Sequence, residues 1–448
     1  MVWIESIVFG LIFTIFFHNN NHVHCNNLTS VVKKEIAYDG YKVFRVRAEN
    51  IDQLLYLRQL SDDVEKVDLK IDFWSMPNSL NSSIDLMVSP ELGNDLQTIL
   101  AKQNIKAETL INDVGRMVEM QRDNVEDSLF YSGFPNDTVF FQRYQPLSNI
   151  ISFLDDLIRS NQDVSSMETI GKSGEGRAIK IIKIGYPPAT GQNKSIIWID
   201  AGIHAREWIA PATATYIISR LIREKDEEEI SKMLKTFDFH ILPSANPDGY
   251  EYSRLFDRFW RKTRSRNAGT FLGFFCVGVD PNRNYGYQWS RTGSSGNPCS
   301  NTYHGPRPFS EPETAAIASY VMQNKDKIKL FLSLHSYSQL ILTPWGWTKD
   351  LPKDHADMMR MAEIASRAFK MRYGTEYRYG SSTSLLYSAA GGSDDWAYGA
   401  AGIKYSFTVE LRDRGTYGFL LPARYIQPTG EETFDAIVAM LNEIKKEL

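Results

Sequence analysis

The chain predicts an α/β protein with a mixed, mostly parallel sheet, preceded by a separate α+β domain of ferredoxin-like order. Three observations carry this. A length of 448 residues is too great for one ordinary domain. Residues 41 to about 120 follow strand and helix periodicities in the order β-α-β-β-α-β. From about Tyr144 onward, short apolar runs alternate with longer segments of helical spacing.

Within the first domain, Tyr41-Lys42-Val43-Phe44-Arg45-Val46 alternates as a half-buried strand does. Ile51, Leu54, Leu55 and Leu57 fall at helical spacing. Val67, Leu69, Ile71 and Phe73 alternate again, as do Ile84, Leu86 and Val88. A second helix fits 90–103, and a last strand starts within 105–110. Histidine is absent from this domain, as is any catalytic cluster. A polar segment, 122–136, reads as a linker, with Gly133-Phe134-Pro135-Asn136 as its turn signal. Beyond it, helices are expected at 147–160, 208–223, 311–324, 355–372 and 425–448. Strands are expected at 179–184, 195–201, 237–243, 329–334 and 404–409. Glycine-rich loops within 267–305 and 374–402 are long enough to build the rim of a site.

Composition narrows the function classes. With 43% hydrophobic and 12% aromatic residues the chain can bury a large core. A formal net charge of -4 gives no electrostatic reason to expect nucleic acid or an anionic membrane as partner. Ser6 to Phe17 is nearly all apolar but far short of the about 20 residues that span a bilayer. It reads as the core of a secretory signal peptide, residues 1–25, cleaved after Cys25; a short membrane anchor or a cleavage a few residues away are the alternatives. Secretion to an extracellular, oxidising compartment follows from the first reading. Cys276 and Cys299 then remain as a single pair closing a short loop, with two buried free thiols as the alternative. Sequons begin at Asn27, Asn81, Asn136 and Asn193 and agree with secretion.

Four residues stand out chemically. His204 and Glu207 follow the apolar run Ile196-Ile197-Trp198-Ile199-Asp200-Ala201-Gly202. His335 ends Leu330-Phe331-Leu332-Ser333-Leu334, and Glu410 ends Tyr405-Ser406-Phe407-Thr408-Val409. Two imidazoles and a carboxylate are the ligand set of a catalytic zinc with one position open. A further carboxylate outside the metal shell is what such a site needs as general base. All four fall at strand ends, where open α/β folds place their sites.

Five segments together carry a resemblance. Gly202-Ile203-His204-Ala205-Arg206-Glu207-Trp208-Ile209 resembles the zinc-ligand motif of the zinc metallocarboxypeptidases of the carboxypeptidase A and B group. Phe259-Trp260-Arg261-Lys262-Thr263-Arg264, Gly278-Val279-Asp280-Pro281-Asn282-Arg283-Asn284, Leu334-His335-Ser336-Tyr337-Ser338-Gln339 and Lys404-Tyr405-Ser406-Phe407-Thr408-Val409-Glu410-Leu411-Arg412-Asp413 match further motifs in the family's order. The resemblance implies a three-layer zinc-carboxypeptidase fold over 123–448, with an activation pro-domain over 26–122. It implies one zinc per chain, held by His204, Glu207 and His335, and Asp280 behind a ligand imidazole. It makes Glu410 the general base and Arg261 the oxyanion stabiliser. Asn282, Arg283 and Tyr387 would bind the terminal carboxylate of a peptide, and Arg206, Tyr337 and Phe419 would line adjoining subsites. A trypsin-like protease would activate the zymogen, with Arg122 favoured over Arg116 as the cut, and the protein would act as a monomer.

Specificity is read from Gly391-Gly392-Ser393-Asp394-Asp395-Trp396. In the family the position of Asp394 lies at the base of the pocket for the last side chain, apolar in the A type and aspartate in the B type. A buried carboxylate there asks for a cation. The chain thus resembles pro-carboxypeptidase B and is expected to release C-terminal Lys or Arg; A-type or mixed specificity is the alternative. Ser382 leaves room for a long side chain. Two departures are Gly346, where B-type enzymes often carry a more polar residue, and one extra residue between Asp395 and Glu410, expected to be absorbed in the loop. Arg258, Lys262 and Arg264 read at least as well as a solvated basic face. His240 reads as a core histidine and His304 as a loop hydrogen-bonder. A non-catalytic binding protein would be expected to lose a ligand, the base or the oxyanion arginine; the chain keeps all of them.

Overall fold

Alternation along the first strand serves two cores at once. The computed structural model describes residues 35–67, 70–77, 79–126, 137–188, 193–266 and 276–448; the expected signal peptide, 1–25, lies outside them. In β1 (Lys42–Arg47), Phe44 and Val46 pack with Leu54, Leu57, Leu86, Leu96 and Leu100 under the domain's own helices. Val43, on the opposite face, joins Trp74, Met87 and Ile111 against Phe259, Tyr337 and Phe419 of the second domain. Period-2 geometry makes this division possible. The remaining elements are a helix Ile51–Val67, β2 (Ile71–Phe73), β3 (Ser83–Val88), a helix Gly93–Lys102 and β4 (Glu108–Ile111). The antiparallel sheet runs β2-β3-β1-β4, as the ferredoxin-like order requires.

A helix Val114–Glu126 follows, which the sequence did not signal. The polar segment expected as linker from Arg122 therefore begins as helix over 122–126. Residues 127–136 lie outside the described residues.

The second domain is built on one eight-stranded sheet, flanked by helices on both faces. Its strands are β5 (Ser165–Lys172), β6 (Ala178–Ile184), β7 (Ser195–Ala201), β8 (Phe237–Leu242), β9 (Ile328–Ser336), β10 (Leu340–Thr343), β11 (Arg378–Ser381) and β12 (Tyr405–Leu411). The order is β11-β10-β12-β9-β7-β8-β6-β5. The central run β12-β9-β7-β8 is parallel. Antiparallel pairs join β10 to β12, β6 to β8 and β5 to β6. Helices Leu147–Arg159, Ile209–Arg223, His355–Tyr373 and Ile426–Ile444 pack with one sheet face in a single apolar cluster. Helix Pro312–Asn324 and Trp396 cover Ile179, Ile181, Trp198 and Phe331 on the other. Strands buried on both sides read as continuous apolar runs, which explains Ile196-Ile197-Trp198-Ile199. Among the described residues no helix is long and apolar enough to cross a membrane.

Candidate active site

The site lies at the ends of the central strands. β7 finishes at Ala201, and Gly202 turns the chain with φ 69°; a side chain there would run into the ring of Pro211, 2.7 Å away. The turn delivers His204 and Glu207 just ahead of helix Ile209–Arg223. His335 comes from β9 and Glu410 from β12, directly opposite one another in the parallel register. His204, Glu207 and His335 are buried, and their ligand atoms all lie within 4.8 Å of one another. Glu207 stands between the imidazoles, its Oε1 2.8 Å from His204 Nδ1 and its Oε2 3.0 Å from His335 Nδ1.

Charge in this cluster is compensated by neighbours. Burial alone would raise Glu207, but His204 and His335 hold it well below the usual carboxylate range. Burial disfavours charge on His335 as well, yet Glu207 and Glu410 push it up to about 9. Burial, reinforced by Arg261, moves His204 the other way. Two imidazoles and one carboxylate on rigid strand ends fit zinc. Asp280 Oδ1 lies 3.1 Å from His204 Nε2, the outer-shell partner a ligand imidazole needs.

Asp280 organises the next layer. It caps the short 3-10 turn Pro281–Arg283 by accepting from Asn282 N at 2.9 Å. Its Oδ2 accepts from Arg261 Nε and Nη2 at 3.1 and 2.9 Å. Burial opposes its charge, but Arg261, Arg283 and His204 keep it ionised. Asn282 Oδ1 in turn accepts from Ser393 N at 2.9 Å, fixing the turn against helix Ser393–Gly399. Arg283 spends Nε on Gly293 O and Nη1 on Asn282 O, both at 2.8 Å, while its buried Nη2 has no partner among the described residues. Tyr387 stands beside it, 5.7 Å from guanidinium to ring centroid.

Glu410 is partly exposed to the cleft. Burial and the nearby Glu207 push it up to about 8, against the pull of His335 and Arg261. A cation on the triad favours its ionised form.

At the far end, Asp394 and Asp395 are neighbours with different partners. Asp395 accepts from Gly346 N at 2.9 and 3.0 Å and from Trp347 N at 3.1 Å, which ties it into the fold. Asp394 lines the cleft with Leu342, Gly346, Ser382 and Thr408, and Ser382 Oγ reaches it only at 3.5 Å. Burial raises both carboxyls. After helix Ser393–Gly399, Ala400 N and Ala401 N both reach Trp396 O and Gly402 adopts φ 77°. Glu410 keeps its place in β12.

One cleft therefore collects His204, Glu207, His335, Glu410, Arg261, Asn282, Arg283, Tyr337, Tyr387, Asp394 and Phe419. Arg206 lies in an adjoining cavity with Arg261 and Tyr387. Cys276 and Cys299 form a disulfide. Three expectations on neighbouring residues come out differently or sharper. Arg258, Lys262 and Arg264 are buried rather than a solvated face. Arg258 donates to Arg206 O, Phe419 O and Gln121 Oε1 and lies 3.7 Å over the Trp208 ring, so its charge is spread over carbonyls and an indole. His240 is a buried partner of Tyr320 Oη, and His304 bonds Gly305 O.

The first domain covers this cleft, through residues the sequence did not single out. Trp74, just after β2, enters it with Ser75 and packs 5.2 Å from Phe259 and from Phe419. Asp72 accepts from Arg206 Nη1 at 2.8 Å and from Asn301 Nδ2 at 3.2 Å. Asp85, paired with Arg45, accepts from Tyr337 Oη at 2.7 Å. Gln121 donates to Leu421 O at 3.1 Å.

Comparison with known proteins agrees with this geometry. The family model described as zinc carboxypeptidase matches residues 150–436, and that described as carboxypeptidase activation peptide matches residues 44–121. The chain is 46% identical to carboxypeptidase B of Astacus astacus over 302 residues, covering 67% of this chain and 97% of that protein. It is 38% identical to carboxypeptidase A2 of Mus musculus over 411 residues, covering 91% and 95%. The solved structure of thrombin activatable fibrinolysis inhibitor superposes with a TM-score of 0.82 at 31% identity, covering 91% of this chain and all of that one. The chain belongs to the zinc carboxypeptidase family: it is a zinc-dependent metallocarboxypeptidase made as a zymogen, with an activation peptide ahead of the catalytic domain.

Proposed function

We propose that the activated enzyme releases C-terminal Lys or Arg from peptides. The observation that carries this is Asp394, a buried carboxylate facing the cleft with no Lys or Arg among the described residues in ion-pair reach. Such a group is costly without a counter-charge, and a substrate ammonium or guanidinium supplies one. Ser382 is small and leaves room for a long side chain, and Gly346 lines the same cleft. In this reading the free Nη2 of Arg283, with Asn282 and Tyr387, grips the terminal carboxylate as a fork. His204, Glu207 and His335 hold the zinc, which when bound polarises the scissile carbonyl and makes a water nucleophilic near neutral pH. Glu410 takes the proton of the attacking water on its carboxylate and passes it to the leaving amine. Arg261, fixed by Asp280, donates to the oxygen where negative charge develops.

The zymogen is read as a secreted monomer with a signal peptide at 1–25, a pro-domain at 26–122 and the catalytic domain at 123–448. A trypsin-like protease cuts at Arg122. Because Arg122 lies within helix Val114–Glu126, the last turns of that helix must open first. Trp74, Asp72 and Asp85 keep substrate out until the pro-domain leaves.

Matched peptides ending in Lys, Arg and Phe, offered before and after trypsin and with and without a chelator, test the reading. The expected outcome is chelator-sensitive release of Lys and Arg that rises on trypsin treatment. Preferential release of Phe would make the enzyme A-type, and equal release would make it mixed.

A further inference from the structure

We infer that the mature cleft accepts an acidic side chain one or two residues upstream of the released residue, gripped by Arg206 and Asn301. This rests on the carboxypeptidase reading above and adds a second specificity determinant to it. The starting point is what the pro-domain inserts there. Asp72 divides its carboxylate, Oδ2 to Arg206 Nη1 at 2.8 Å and Oδ1 to Asn301 Nδ2 at 3.2 Å. When the pro-domain departs, this carboxylate departs with it.

What remains is a built receptor for the same group. Arg206 is 3% exposed, and Asp72 is its only carboxylate partner within 4 Å among the described residues. Its Nε is buried and already has no partner among them, so the planar fork is half used. Once Asp72 has left, the guanidinium keeps a free planar fork on the cleft wall, and a carboxylate from substrate restores the pair. The side chain does not depend on the pro-domain for its placement. Its guanidinium lies 4.3 Å from the Phe419 ring centroid, and its backbone carbonyl accepts from Arg258 Nη1 at 2.9 Å.

Asn301 is likewise set by the catalytic domain. It follows Cys299 by two residues, just past the loop that the Cys276–Cys299 disulfide closes. The segment that carries it is tied to the active site where Asp280 N donates to Tyr303 O at 2.8 Å. With the pro-domain in place, Arg206 and Asn301 share a cavity with Arg261 and Tyr387, whose opposite wall is Ser61, Ile71, Asp72 and Trp74 of the pro-domain. A peptide whose last carboxylate lies on Arg283 runs back along the wall that carries Arg206. The amide NH2 and the guanidinium both donate to a carboxylate, whereas a lysine ammonium meets the like charge of Arg206.

The test uses trypsin-activated, zinc-loaded enzyme and two peptide sets, one ending in Lys and one in Phe. Within each, the two preceding positions are scanned in turn with Ala, Gln, Glu, Asp and Lys. At one of the two positions Glu or Asp should raise kcat/KM over Gln about tenfold, through KM, as a charge-assisted pair would, and Lys should lower it. The gain should shrink as salt is added. Arg206→Gln should bring the acid-to-Gln ratio near one, and Asn301→Ala should reduce it while leaving the sign unchanged. Release independent of both preceding residues overturns the inference and leaves the carboxypeptidase reading standing. Absence of chelator-sensitive release from every peptide overturns both.

Discussion

The two ends of the cleft handle buried charge in opposite ways. At the metal end, Glu207 has two imidazoles, and Asp280 has two arginines and an imidazole. At the pocket end, Asp394 and Asp395 stand side by side; Asp395 is tied to the backbone of Gly346 and Trp347, and neither is paired with Lys or Arg among the described residues. The difference teaches where to look for a ligand. Charge that the protein itself compensates holds the catalytic apparatus in place. Charge left uncompensated, at a surface open to the cleft, marks what must come from outside. Glu313 supplies a useful contrast. Its Oε1 accepts from Gly174 N at 2.9 Å, its Oε2 is buried without a partner among the described residues, and it lies outside the active-site cleft. There the same imbalance costs stability and recruits nothing.

The largest effect should come from breaking the metal end. Glu410→Gln should retain zinc and lose about 10³-fold in kcat, because a general base is removed and no ligand. Metal content and turnover on one preparation check this; turnover near wild type would remove Glu410 from the role. Asp394→Ile, at the pocket end, should lower kcat/KM for Lys- or Arg-ended peptides by roughly 2–5 kcal/mol and raise it for apolar ends. A change confined to kcat, equal for all ends, would place Asp394 elsewhere in the account.

Glu313 sharpens the contrast through pH. Burial, with Glu311 and Asp248 adding, raises its carboxyl from 4.5 to about 7. The folded state then holds a proton that the unfolded state releases. Its full contribution is present below about pH 4.5 and is lost as pH rises to about 7, a decline of about 3 kcal/mol. Glu313→Gln should flatten that decline, so its melting temperature should exceed wild type at pH 8 by more than at pH 5. Parallel curves would contradict the assignment. The smallest effect is expected at the latch. Asp72→Asn weakens one of several interdomain contacts, about 1 kcal/mol, and should raise the residual activity of uncut precursor a few-fold.

The catalytic half was legible because its chemistry and its strands coincide. His335 and Glu410 end apolar runs, and those runs are the parallel neighbours β9 and β12. The strands at 195–201 and 237–243 were foreseen for the same reason. β5 was not, because an edge strand with alternating exposed residues, Ser165–Lys172, carries little apolar signal. β10 and β11 are four residues each, too short to show a period. Helix Val114–Glu126 was hidden by its polar end, since its buried face is made by contact with another domain. Arg258, Lys262 and Arg264 misled for a related reason: carbonyls and aromatic rings, which no spacing reveals, are what make their burial tolerable. The pro-domain's grip on the cleft was invisible for the same cause, because Asp72 and Arg206 are 134 residues apart.

The claim that Asp394 is an uncompensated charge awaiting a substrate cation is tested most directly by two peptides identical except at the last residue, one ending in arginine and the other in citrulline. Citrulline keeps the length and planar tip of arginine and removes the charge. With activated, zinc-loaded enzyme, the arginine peptide should show kcat/KM roughly 100-fold higher, as expected when a buried carboxylate gains its partner. Equal hydrolysis of the two would show that Asp394 does not read charge, and the account of the pocket would be wrong.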